Sequence, residues 1–88
     1  MITKDYVILA AEGMHARPAT ALVKLTKKFK SSFSLKKDEK IIKLNSMLNI
    51  LSMGAKGGET ISVIIEGEDE LLASEALDEF FNEQLKNL

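Results

Sequence analysis

Pro18 is the only proline in the 88-residue chain, and it stands where a two-residue hydrophobic period gives way to a helical one. Proline has no N–H and a fixed φ, so it is favoured in the first turn of a helix and excluded from the interior. A helix is therefore predicted to begin just ahead of it. Upstream, Ile2 to Ala10 reads as a strand, with Tyr6, Ile8 and Ala10 on one face and Val7 and Leu9 on the other. Ala11-Glu12-Gly13 makes the intervening turn. Downstream, Ala19, Leu22, Val23 and Thr26 recur at helical spacing from Ala16 to about Lys28. Arg17, Lys24, Lys27 and Lys28 occupy the other faces, and lysines in the last turn suit the helix dipole.

The remaining periods divide the chain in the same way. Ser32 to Lys36 alternates with Phe33 and Leu35 inward, Lys37-Asp38-Glu39 is a polar hairpin turn, and Lys40 to Leu44 returns with Ile42 and Leu44 inward. Asn45 and Ser46 are N-cap types, and Met47 to Met53 is predicted as a short helix. Gly54, Gly57 and Gly58 mark a loop, and Thr60 to Glu66 is a strand with Ile61, Val63 and Ile65 inward. Asp69 is the expected N-cap of a last helix, whose apolar stripe is Leu72, Ala73, Ala76, Leu77, Phe80, Phe81 and Leu85. The order strand, helix, strand, strand, helix, strand, helix predicts an α+β fold. It is an open-faced β-sandwich, a four-stranded antiparallel sheet with three helices on one face. The expectation is one domain over residues 1–88, long enough to bury about 60% of the surface of its unfolded chain.

Composition excludes several functions. The net charge of −1 argues against a general nucleic-acid binder. With no cysteine there is no disulfide, thiol nucleophile or zinc-thiolate site. No apolar run approaches the ~20 residues that cross a bilayer, and no basic region followed by a long apolar run opens the chain. A cytoplasmic protein without membrane insertion, metal or other cofactor is expected.

The stretch Gly13-Met14-His15-Ala16-Arg17-Pro18-Ala19-Thr20 also holds the only histidine. His15 is predicted to sit just before the helix, facing the free backbone N–H groups of the first turn, at Ala16 and Arg17. Such groups and the dipole form an anion site, and Arg17 adds a fixed cation. An imidazole beside them points to phosphoryl chemistry on His15 itself. A positive helix end disfavours imidazolium, so a neutral, nucleophilic ring is expected. Glu12 reads as a solvated turn residue and Thr20 as structural.

These eight residues resemble the active-site motif of HPr, the family of histidine-containing phosphocarriers of the bacterial sugar phosphotransferase system. Leu44-Asn45-Ser46-Met47-Leu48-Asn49-Ile50-Leu51-Ser52-Met53-Gly54 resembles that family's regulatory-serine segment, with Met-Leu-Asn after the serine where Ile-Met-Gly is common. The element order matches as well. The resemblance implies that His15 accepts a phosphoryl group, on Nδ1, from enzyme I charged by phosphoenolpyruvate. It then passes the group to the A components of enzymes II for sugar uptake. The resemblance also implies phosphorylation of Ser46 by an HPr kinase/phosphorylase. The protein would then be a carrier rather than a turnover enzyme. The alternatives are a nitrogen-type or purely regulatory paralogue, or a module that binds a phosphate-bearing ligand without covalent change.

Met47, Leu48 and Leu51 are expected to form an apolar patch beside His15, rimmed by Arg17, Lys24 and Lys27, suited to acidic partners. A monomer is expected. If the first and last strands are neighbours, as the resemblance implies, Val7, Leu9 and Ile64 form a second patch on the open sheet face, through which a weak dimer could form.

Overall fold

A computed structural model describes all 88 residues. The elements are β1 (Ile2–Val7), α1 (Ala16–Thr26), β2 (Ser32–Lys37), β3 (Lys40–Lys43), α2 (Met47–Met53), β4 (Thr60–Glu66) and α3 (Glu70–Glu79). A π-helical turn (Phe80–Gln84) and a short 3-10 turn (Leu85–Asn87) extend α3. The strands form one antiparallel sheet in the order β1-β4-β2-β3. This is the α+β open-faced sandwich that the periodicities predict.

The sheet's inward rows follow from register. Ile2, Ile65 and Phe33 align across three strands, and Val63 and Leu35 align in the next inward row, where Lys4 and Ile42 flank them. Leu22, Ile50, Leu77, Phe80, Phe81 and Leu85 from the helical layer join one core with these side chains. Tyr6 stacks on Phe81 with ring centroids 4.4 Å apart. Its hydroxyl donates to Asp78 Oδ1 (2.6 Å), while Lys4 Nζ reaches Asp78 Oδ2 (3.1 Å). Burial and this bond hold the Tyr6 phenol well above its ordinary range. For Asp78, burial opposes ionisation, but the donors Tyr6 and Lys4 outweigh it and lower the carboxyl.

Several boundaries and orientations differ from the sequence reading. β1 ends at Val7 rather than Ala10, because beyond it the chain leaves the ladder for a loop contact: Ile8 N–H donates to Glu59 O and Gly58 N–H to Ile8 O. Ile8 and Ala10 stay buried all the same. α1 ends at Thr26 rather than Lys28. Leu72, expected in the core, is exposed. α3 turns Ala73, Leu77 and Phe80 inward, and residue 72 lies about 100° from 73. Leu85 stays inward only through the π turn, in which its N–H bonds the Phe80 carbonyl five residues back. A regular helix would have brought Gln84 towards the core.

The sheet-face patch does not form as one surface. Val7 pairs with Thr60, whereas Ile64 lies opposite Thr3 and Ser34. Between them runs the polar row Asp5–Ser62–Lys36, closed by a 2.5 Å bond from Ser62 Oγ to Asp5 Oδ1. Leu9 lies past the end of the strand.

Asp69 occupies the N-cap position of α3, but its side chain caps nothing there. Its carboxylate instead accepts from Ser31 Oγ (2.5 Å), Lys30 N (2.7 Å) and Ser31 N (2.9 Å), tying the loop after α1 to the start of α3. The Ser31 hydroxyl bond, then the Lys30 amide, hold this carboxyl below its usual range. A depressed folded-state value means stability that is present above the unfolded carboxylate range and lost as pH falls through the folded one. Asp69→Ala is therefore expected to lower the thermal midpoint at pH 7 and to flatten the loss of stability between about pH 5 and pH 2. Thermal melts across that range check this.

Candidate functional site

Two backbone loops interlock beneath His15. Gly13 has φ of +75°, and a Cβ there would lie 2.5 Å from Ala55 O and 2.9 Å from Lys56 Cα. Across the contact, a Cβ on Gly57 would lie 2.6 Å from Ala10 O. The loops are stitched by Met14 N–H donating to Ala55 O (2.9 Å), and Gly13 N–H turns back to Ala10 O (2.9 Å). Met14 is buried beneath this turn. The chain then has only one residue in which to change from turn to helix, and that residue is His15.

His15 is the N-cap of α1, with φ −87° and ψ −172°. Its carbonyl accepts from Ala19 N–H (3.1 Å), and its own N–H donates to Gly13 O (3.0 Å). The ring does not cap the helix and is 32% exposed. The amides of Ala16 and Arg17 have no acceptor in the chain, and Pro18 has no N–H to offer. The helix end beside the imidazole therefore presents two free donors. Arg17 is exposed and enters no ion pair. Glu12 is 83% exposed, a solvated turn residue as expected, with its Oε2 3.7 Å from His15 Nε2.

α2 is joined to this end of α1. Thr20 Oγ1 donates to Ala16 O (2.8 Å) and meets Met47 Sδ at 3.1 Å. Ser46 is the N-cap of α2, its Oγ accepting from Asn49 N–H (3.1 Å). The Asn49 side chain then donates to Lys43 O and Asn45 Oδ1, so it ties down the loop ahead of the helix. Met47 packs partly into the core, Leu48 is 80% exposed and Leu51 is at the margin of exposure. Lys24 and Lys27 stand exposed on α1. Lys56, on the interlocked loop, is exposed, and its Cα lies against Gly13. Sequence spacing gave no sign of it, because it comes from a loop about forty residues away.

No group of three or more His, Cys, Asp or Glu side chains is arranged to hold a metal ion, and no helix is long and apolar enough to cross a membrane. A polar groove of about 400 Å³, lined by Lys27, Ser34 and Lys43 among others, lies at the far end of α1 from His15.

The family model described as PTS HPr component, phosphorylation site, matches residues 2–83. The chain belongs to the HPr family. It is thus a phosphocarrier of the phosphotransferase system, and a phosphocarrier is not an enzyme in itself. It is 36% identical over 77 residues to the phosphocarrier protein HPr of Lysinibacillus sphaericus, covering 88% of each chain. Among solved structures it is similar to HPr-C-His from Thermoanaerobacter tengcongensis, with a TM-score of 0.91 at 32% identity over 97% of this chain and 96% of that one. It is also similar to a Mycoplasma histidine-containing phosphocarrier, with a TM-score of 0.88 at 30% identity over 96% of both chains.

Gly13→Ala places a methyl group against the Ala55 carbonyl at a positive φ, and neither loop can retreat without breaking the Met14–Ala55 bond. The substitution is expected to cost at least about 2 kcal/mol and to shift the His15 ring resonances. Denaturant unfolding and imidazole NMR check the two effects.

Proposed function

We propose that His15 carries the phosphoryl group, receiving it from enzyme I charged by phosphoenolpyruvate and passing it to the A components of enzymes II. The observation that supports this is an accessible imidazole seated at a helix end with two unpaired amides. The Nδ1 lone pair attacks phosphorus in line while the donor's bond to phosphorus breaks, and the reverse step delivers the group onward. Glu12 Oε2, at 3.7 Å, is too far to bond Nε2 directly, but its field favours the proton on that nitrogen and leaves the Nδ1 lone pair free. The transferred group then lies near the amides of Ala16 and Arg17 and the Arg17 guanidinium, which offset its charge. Little covalent chemistry is asked of other side chains; positioning and electrostatics do most of it.

The docking face in this reading is Met47, Leu48 and Leu51 with Lys24 and Lys27, an apolar centre with a basic rim. Ser46 is the regulatory position for an HPr kinase/phosphorylase. A phosphate there is compatible with the N-terminus of α2 but sets negative charge beside Leu48, where an acidic partner docks.

Incubation with phosphoenolpyruvate and enzyme I, read by intact mass before and after acid, tests the reading. One acid-labile phosphoryl group is expected on the wild type and none on His15→Ala. Reversible binding of a phosphate ligand without covalent mass gain would sink the proposal. Arg17→Ala is expected to slow transfer by about ten- to a hundredfold, the loss of one charge-assisted contact. Stopped transfer assays at matched concentrations measure it. Lys24→Glu combined with Lys27→Glu is expected to slow transfer from enzyme I and to reduce its dependence on salt, checked by the same kinetics at several ionic strengths.

A further inference from the structure

The outer side of α3 is unlike an ordinary solvated face. Leu71 is 73% exposed and Leu72 64%. Glu68, Leu71, Leu72, Glu75 and Glu79 recur at three- and four-residue spacing, so they lie on one stripe, and all five are exposed. Glu68 meets Lys30 at 3.5 Å in an ion pair open to water on both sides, while Glu75 and Glu79 have no cationic partner. The core takes no part in holding these leucines, since α3 buries Ala73 and Leu77 on its opposite side.

The α1–α2 face has the opposite sign. Arg17, Lys24, Lys27 and Lys28 stand exposed along α1 without an ion pair, and Leu48 and Leu51 stand beside them on α2. The stripe from 17 to 28 and the stripe from 68 to 79 each cover eleven residue steps of helix or helix end, about 16 Å. The two therefore match in length and carry opposite charge; the acidic stripe includes Leu71 and Leu72, and the basic one has Leu48 and Leu51 beside it on α2. Both belong to the helical layer on the same side of the sheet.

We propose that these two faces bind each other between two copies of the chain, α3 of each lying on α1–α2 of the other. Because every copy carries both halves in one layer, a two-fold rotation makes the contact twice and closes the pair, rather than extending a chain. Two helix-wide stripes cover less area than a permanent dimer needs, so the association is weak and sensitive to salt. It does not rest on the chemistry of His15, and it can fail while phosphoryl transfer stands.

Sedimentation equilibrium of the whole protein from about 0.05 to about 2 mM, at low and at high salt, tests the proposal. The mass is expected to climb towards the dimer at low salt and to fall back at high salt. Leu71→Ser with Leu72→Ser is expected to weaken association at least about tenfold. Lys24→Glu/Lys27→Glu protein and Glu75→Lys/Glu79→Lys protein are each expected to be monomeric alone and to associate when mixed, because the mixed pair restores both contacts. All these positions are exposed, and dispersed amide NMR spectra verify the folds. A wild type that stays monomeric at about 2 mM in low salt, unaltered association in the leucine variant, or a folded swap pair that does not associate overturns the proposal.

Discussion

The close approach of two backbone segments, one ending at Gly13 and the other centred on Gly57, is the constraint from which the rest of the site follows. Neither segment has room for a β-carbon where they cross. The contact fixes the exit direction of the first strand and puts Met14 under the turn. That leaves His15 as the residue at which the helix must start. The histidine is held by its backbone on both sides, through Gly13 O and Ala19 N, while its ring stays free of structural duties. A fixed main chain and an uncommitted ring suit the repeated modification proposed for this side chain.

Local signals made most of the fold legible. Pro18 marked the helix start, alternation located four strands, and Ser46 was recognisable as a cap by its residue type, its hydroxyl accepting from the amide three residues on. What escaped the sequence depends on contacts between distant segments. Asp69 has the identity of a cap, but the amides of Lys30 and Ser31 and the Ser31 hydroxyl compete for its carboxylate and win, with three bonds against one. Leu72 fits a helical stripe arithmetically and still faces water, since Ala73 and Leu77 set the buried direction. Val7 and Ile64 are both apolar and on neighbouring strands, yet register places a polar row between them. Lys56 carries no motif, and its backbone meets Gly13 only through the glycine interlock. Of the candidate site, the residues around His15 and those around Ser46 were named from the sequence, and the contact of the Gly13 turn with the Gly57 loop was not.

Charge is divided along the chain. Eleven of the twelve basic side chains precede residue 57, and nine of the thirteen acidic ones follow it. The near-zero net charge conceals this division: the β2–β3 hairpin carries four of the eleven lysines and α3 carries four of the thirteen carboxylates and no lysine. The protein thus presents a field with direction, which orients an approaching partner before any contact forms.

The widened turn at Phe80–Gln84 bears on how this last helix can change in length. Five residues there do the work of about four, and the surplus one rotates Leu85 back into the core. Removal of any single residue from this turn would restore regular winding and carry the last leucine out of the interior, so the terminus tolerates exchange of side chains far better than it tolerates a deletion.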